Sequence, residues 1–195
     1  APAADTTPTR NNGDVGGLAE SGNGAAIAYG AFEFAGYAGI GVMINGGELH
    51  ATAIAGAGAQ AHATAINVIG DVASVFNDAN ATATATAGDG GLADARAARS
   101  YGMYTSVSNY GALAADATAM GGVAGARGID SLGVLGSTAY NAGDIVANAN
   151  AAGGEASAFG TYSVGISSGA GTTNHGTIAA HASGDAADTY GVLNA

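Results

Sequence analysis

Small apolar residues alternate with polar or variable residues in five similar stretches of the chain. In the third copy the apolar set is Leu113, Ala115, Ala117 and Ala119. The equivalent sets in the other copies are Leu49, Ala51 and Ala53; Ala81, Ala83 and Ala85; Ile145, Ala147 and Ala149; and Ile178, Ala180 and Ala182. A period of two is typical of a strand with one buried face, whereas a helix needs a 3.6-residue stripe. The pattern predicts strands whose inner face is mainly alanine.

These stretches recur at a fixed spacing. An asparagine opens each copy, in steps of 32, 32, 32 and 33 residues, and an earlier copy begins at Asn11. The five positions are Asn45, Asn77, Asn109, Asn141 and Asn174. One copy cannot bury its alanine face alone, so the copies must stack. Parallel stacking brings equivalent residues to about 4.8 Å from each other. It predicts that the five asparagines form a structural amide ladder.

The repeat predicts an all-β fold, a parallel β-helix (β-solenoid) of about 32-residue repeats around a thin, alanine-rich core. A turn of about three short strands fits this spacing, and two shorter coils per repeat fit it as well. We expect residues 1–10 to form a flexible tail and residues 11–195 the solenoid domain. Residues 25–44 carry several aromatic side chains and are interpreted as an N-terminal cap or a thickened first turn. Proline is absent after Pro8, as expected where every backbone amide is needed by the sheet.

Composition narrows the functional classes. Only 10% of the 195 residues are charged and the net charge is −11, which argues against nucleic-acid binding. Cysteine is absent, which excludes disulfides and Cys-ligated zinc. All four cationic residues are arginines, so lysine-based catalysis is excluded as well. No apolar run approaches the roughly 18 residues of a membrane span. The opening APAADTTPTR resembles a mature N-terminus after export, which predicts a secreted chain.

Candidate metal and cofactor motifs are isolated. The four histidines, His50, His62, His175 and His181, fall on the variable face or in turns and are interpreted as solvated. The segment GAGAQA at residues 56–61 matches a loose dinucleotide fingerprint, but we interpret it as the glycine turn of one repeat. Asp89 and Asp94 match one unit of a calcium-binding repeat that is not iterated. We therefore expect no metal and no cofactor.

Catalytic and ice-binding patterns are also incomplete. The acidic residues of the chain are spread along the repeats, without the paired clustering of a hydrolase site, so we interpret them as a solvating surface and expect no enzyme. Thr82, Thr84 and Thr86 form one row of an ice-ordering array, but the neighbouring repeats interrupt it.

Two phrases, NAGDIVANANAAGGEASAFG at residues 141–160 and NHGTIAAHASGDAADTYGVLNA at residues 174–195, resemble the passenger repeats of bacterial autotransporters and filamentous-haemagglutinin-like adhesins. The resemblance implies a parallel β-helix, a secreted or bacterial cell-surface location, an adhesive or structural role, and no catalytic residues. The repeat of about 32 residues is longer than the one that is usual in those families.

Two roles follow from the resemblance and the repeat. The first is a surface adhesin or autotransporter passenger segment, and the alternative is a subunit of an extracellular filament of head-to-tail solenoids. Weaker alternatives are an ice-binding solenoid and a solenoid polysaccharide lyase. The expected partners are further copies of the chain, end to end or side by side, or a host or environmental surface. The final turn lacks a recognisable cap, and we expect a continuing chain or a partner to cover it.

Overall fold

The structure is a computed structural model that describes residues 8–36 and 39–195, and in this part of the chain all regular structure is β-strand. The strands are β1 (Thr9–Asn11), β2 (Val15–Ser21), β3 (Ala26–Phe34), β4 (Ile40–Asn45), β5 (Leu49–Ala55), β6 (Gln60–Ile69), β7 (Val72–Asn77), β8 (Asn80–Asp89), β9 (Leu92–Asn109), β10 (Ala112–Met120), β11 (Val123–Asn141), β12 (Asp144–Gly165), β13 (Ala170–Asn174) and β14 (Thr177–Asn194). The four longest strands, β9, β11, β12 and β14, bend at a corner of the coil and serve two sheets each.

Three parallel sheets run along the axis of the coil. The first sheet contains β1, β4, β7, the end of β9, the end of β11, and β13. The second contains β2, β5, β8, β10 and the beginnings of β12 and β14. The third contains β3, β6, the beginnings of β9 and β11, and the ends of β12 and β14. One strand from each sheet makes one turn, here called a rung, and the described residues form six stacked rungs. The predicted β-solenoid is confirmed, with three strands in each rung.

The register places equivalent residues of successive repeats next to each other. Ala51, Ala83, Ala115, Ala147 and Ala180 form one inward column of the second sheet. The first four are at most 1% exposed, and Ala180 in the last rung is partly buried. Methyl groups stacked at this spacing leave little room between the sheets, so the core is thin and is filled mainly by alanine. The predicted inner face is therefore confirmed.

Glycine makes room where a larger side chain enters the core. A Cβ at Gly128 would lie 2.1 Å from Ile145 Cγ2 and 2.6 Å from the carbonyl oxygen of Gly160. The same arrangement recurs one rung later, where a Cβ at Gly160 would lie 2.1 Å from Ile178 Cγ2. A glycine in the third sheet thus makes room for the isoleucine that faces it from the second sheet.

The first rung is narrow. A Cβ at Gly17, in the second sheet, would lie 2.2 Å from the carbonyl oxygen of Tyr29 in the third, so these two strands almost touch. Residues 25–44, interpreted as a cap or thickened rung, contain β3 of the first rung and most of β4 of the second, and Tyr37 lies outside the described residues. Residues 1–7 of the predicted tail are also outside them, and β1 begins at Thr9.

A buried seam of hydroxyl groups replaces apolar side chains at the corner between the third and first sheets. Ser137 Oγ lies 2.8 Å from Ser131 Oγ and 2.7 Å from Ser163 Oγ. Ser131 Oγ in turn donates to Thr105 Oγ1 at 2.9 Å. All four side chains are at most 4% exposed, and their mutual bonds satisfy groups that would otherwise be costly to bury.

Candidate functional site on the side faces of the rod

The predicted asparagines form a continuous ladder along one corner of the rod. Each Nδ2 donates to the Oδ1 of the asparagine one rung further on, and the five distances are 2.7–2.8 Å from Asn11 to Asn174. Asn45, Asn77, Asn109 and Asn141 are each 0% exposed, whereas Asn174, in the last rung, is exposed.

Each ladder asparagine also closes the corner at which it lies. Asn109 Nδ2 donates to the carbonyl oxygen of Gly111 at 3.1 Å, and Asn141 Nδ2 donates to that of Gly143 at 2.9 Å. The side chain therefore satisfies a backbone group of the turn while it pairs with the next rung. The ladder is a structural element that fixes the register, and its amides are occupied by one another.

A cluster of charged side chains lies on the outer face of the third sheet. Arg96 Nη2 lies 2.5 Å from Asp94 Oδ2, and Arg96 Nε lies 2.8 Å from Asp130 Oδ2. Arg127 Nη1 reaches Asp94 Oδ1 at 3.4 Å, and Arg99 Nε lies 3.9 Å from Asp130 Oδ2. The cluster thus holds three of the four arginines of the chain.

The two carboxylates of this cluster are buried, Asp94 at 9% and Asp130 at 3% exposure, so their interpretation as a solvating surface was wrong. A break in the strand alternation brings Asp130 onto the same face as Arg96. Ala97 and Ala98 are consecutive and both point inward, which bends the strand. The side chains of Arg96, before the bend, and Arg99, after it, therefore lie on the same outer face. The repeat register offered a signal, because it pairs Arg96 with Arg127 and Arg99 with Asp130.

The environment shifts the pKa values of the two acids in opposite directions. Burial alone would raise the pKa of Asp94, but a hydrogen bond with His62 and the charges of Arg96 and Arg127 lower it below its ordinary value. Burial raises the pKa of Asp130 above its ordinary value, against the opposing charges of the surrounding arginines.

Aromatic rings continue the charged cluster toward the later rungs. The guanidinium carbon of Arg127 lies 5.6 Å from the ring centre of Phe159 and 5.4 Å from that of Tyr162. Phe159 also stacks on Tyr190, with ring centres 5.2 Å apart and an interplanar angle of 6°. Because the arginines and acids face one another and the rings cover Arg127, we assign this cluster a mainly structural role at the bend.

The histidines lie apart from one another. His50 Nε2 is 3.4 Å from Glu48 Oε2, and His62 Nδ1 is 3.5 Å from Asp94 Oδ2. The ring of His175 lies 5.8 Å from that of Tyr140 at a corner, and His181 lies on the outer face of the second sheet beside Asn148. Within the described ranges, no group of three histidine or acidic side chains is arranged to hold a metal ion.

The remaining candidate motifs lie on ordinary parts of the coil. The turn at residues 56–61 leads into strand β6, which begins at Gln60, where a dinucleotide site would need a helix. Thr84 has Thr52 and Asp116 as its neighbours, and Thr86 has Ile54 and Thr118, so the threonine array is interrupted in both directions. Asp89 lies at the end of β8, whereas Asp94 lies in β9, paired with arginine.

An open groove runs along the outer face of the first sheet. Its volume is about 560 Å³, and its floor follows one column from Ser74 through Ser106 and Thr138 to Gly171. Tyr104, which is 54% exposed, lies along one side. Every lining residue is uncharged. The residue pattern does not predict this groove, because its hydroxyl residues are spread over three repeats.

In the described part of the chain no helix is present that could serve as a membrane span. Comparison of the chain with protein-family models, with curated proteins and with solved structures gave no match.

Proposed function

We propose that the chain is a non-enzymatic, extracellular rod that serves as structural or adhesive material at a bacterial surface, as a passenger segment of the kind its repeats resemble. The observation that carries this proposal is the contrast between the two sides of each strand. The inner columns of the second sheet stay apolar in every repeat, whereas the outer columns of the same strands change in character from rung to rung. Thr84, Asp116, Asn148 and His181, for example, share one outer column. A scaffold with a constant core and variable outer side chains is suited to presenting a binding surface to other molecules.

The acidic balance agrees with an exposed rod. With four cationic and 15 acidic residues, the net charge of −11 keeps such rods soluble and separate from one another. Three of the four arginines are engaged with buried acids, so the remaining surface is still more acidic than the total indicates.

Location is tested in the cells that make the protein. We expect protease added to intact cells to degrade the chain, or an antibody to label it, while a cytoplasmic marker stays protected. Complete protection of the chain in intact cells, with degradation after lysis, would contradict an extracellular role.

Adhesion is tested with beads that carry the purified chain. We expect more of these beads than of beads carrying bovine serum albumin to remain on epithelial monolayers or on polysaccharide-coated glass after washing. Equal retention of the two kinds of beads would refute the adhesive role.

The second candidate is a filament of solenoids stacked head to tail. It is supported by the matching register of successive rungs, because strands that pair in this way within the chain can pair with the equivalent strands of another copy. Light scattering during size-exclusion chromatography tests this candidate, because filament growth gives a mass that rises with concentration and a constant monomer mass contradicts it.

A further inference from the structure

We propose that the groove on the first sheet binds a linear, uncharged glycan, an inference that names a ligand class for the adhesive role and rests on that role. The groove crosses four rungs, so its floor is about 14 Å long at the spacing of parallel strands. This length fits a short stretch of a polysaccharide lying along the rod axis. Its volume of about 560 Å³ falls within the range of small-molecule sites.

The floor offers the hydrogen-bonding groups that sugars need. Ser74, Ser106 and Thr138 are adjacent in register, and each hydroxyl oxygen can accept a hydrogen bond from a sugar hydroxyl. The Thr138 hydroxyl itself donates to the Thr105 carbonyl at 3.5 Å. Ser106 Oγ donates to Ser74 Oγ at 2.9 Å, which leaves acceptor capacity on both oxygens. Hydroxyls repeated at the rung spacing can meet the hydroxyls of successive sugar units.

The side of the groove offers a flat apolar surface. Tyr104 is 54% exposed at the corner of the fourth rung, and the residue paired with it on the next rung is Gly136. A Cβ at Gly136 would lie 3.9 Å from Tyr104 Cδ1 and 3.0 Å from Ser168 Oγ, so the glycine keeps the space beside the ring open. An exposed ring beside polar groups suits a ligand with one apolar face and a polar rim, as a pyranose has.

The backbone argues against a peptide that would join the sheet as an added strand. The strands that form the floor, β7, β9, β11 and β13, already pair with one another through their backbone groups. A peptide strand adds to an unpaired sheet edge, whereas a ligand on this face meets side chains only. The uncharged lining, in a chain of net charge −11, likewise favours an uncharged ligand over an acidic one.

Calorimetry with defined probes tests the inference. The probes are cellohexaose, chitohexaose and mannohexaose, with a polygalacturonate fragment and an uncharged serine-rich hexapeptide as the other classes. We expect at least one neutral hexasaccharide to bind the wild-type chain. We expect Tyr104→Ala and Ser106→Val each to weaken that binding at least tenfold. Thr118→Val, on the outer face of the second sheet, is the matched control and should leave it unchanged.

Circular dichroism must show that every variant keeps the wild-type spectrum, and the exposed position of Tyr104 makes its variant the safer of the two. The inference is overturned if none of the three neutral hexasaccharides binds, if the peptide or the polygalacturonate binds more tightly, or if Thr118→Val weakens binding as much as Tyr104→Ala does.

Beads carrying the variants separate this inference from the adhesive role. Unchanged retention of Tyr104→Ala beads, with no hexasaccharide binding, overturns the groove and leaves adhesion standing. Hexasaccharide binding that depends on Tyr104, without retention of wild-type beads, supports the groove and removes the adhesive role.

Discussion

Replacing Asn109 with alanine removes the middle of the asparagine ladder and therefore tests what holds the rungs in register. In the wild-type chain, Asn109 Nδ2 donates to Asn141 Oδ1 at 2.8 Å, and Asn109 Oδ1 accepts from Asn77 Nδ2 at 2.8 Å. The side chain also donates to the carbonyl oxygen of Gly111 at 3.1 Å, and it is 0% exposed.

The expected cost follows from these contacts. Two ladder bonds and one corner bond are lost, each with a net contribution of about 1 kcal/mol. A longer bond from Asn109 Nδ2 to the Asp144 carbonyl at 3.3 Å is lost as well and adds little. Asn141 Oδ1 also loses its donor, and because Asn141 is 0% exposed, this unmet acceptor adds about 1–2 kcal/mol. We therefore expect Asn109→Ala to lower the free energy of unfolding by about 4 kcal/mol, measured by urea denaturation with far-UV circular dichroism.

Two variants control this experiment. Asn174→Ala removes one ladder bond at an exposed position, so we expect a loss of only about 1 kcal/mol. Asn109→Asp keeps the shape but, when ionised, directs a second acceptor at Asn141 Oδ1. Because burial raises the pKa of such a carboxyl, its stability should recover in part as the pH is lowered. Equal losses for Asn109→Ala and Asn174→Ala, or a loss below about 1 kcal/mol for Asn109→Ala, would refute the reasoning.

Two further predictions concern packing and charge. Gly128→Ala should lower the free energy of unfolding by about 1–3 kcal/mol in the same assay, because its methyl group would overlap Ile145 and the Gly160 carbonyl. In a chain that already carries Ile145→Ala, Gly128→Ala should lower the free energy of unfolding by less than it does in the wild type. Strictly additive losses for the two substitutions would contradict the steric account. Asp94 has a lowered pKa, so its contribution to stability is present above its unfolded value near 3.8 and is lost as the pH falls through the folded value. Asp94→Asn should therefore show a smaller loss of stability than the wild type between about pH 4 and pH 2, and parallel pH curves would contradict this assignment.

The stacked coil could be predicted from the sequence because its determinants are local and repeated. Alternation with a period of two defines the inner face, and the 32-residue step of the asparagines defines which residues become neighbours. Both signals are carried by small residues whose role changes little between rungs. The repetition therefore predicts the long-range pairing of Asn77 with Asn109 from the sequence alone.

The charged cluster and the groove could not be predicted in the same way. The contact of Arg96 with Asp130 depends on a bend at Ala97 and Ala98, where two consecutive residues face inward and the alternation breaks. A strict period of two leaves no place for such a bend. The groove depends on the backbone conformation of the corner around Gly136. The alternation of apolar and polar residues does not predict that conformation.

The rise of the coil from one rung to the next tests the central claim most directly. Leu18, Thr52, Thr84, Asp116, Asn148 and His181 share one outer column in successive rungs. Because the chain has no cysteine, spin labels can be attached to introduced cysteines alone. We expect pulsed electron paramagnetic resonance to give about 19 Å between backbone positions for the pair Leu18→Cys and Asn148→Cys, four rungs apart. The pair Leu18→Cys and His181→Cys, five rungs apart, should give about 24 Å. A separation that does not grow by about 5 Å for this added repeat would contradict the stacked, in-register coil.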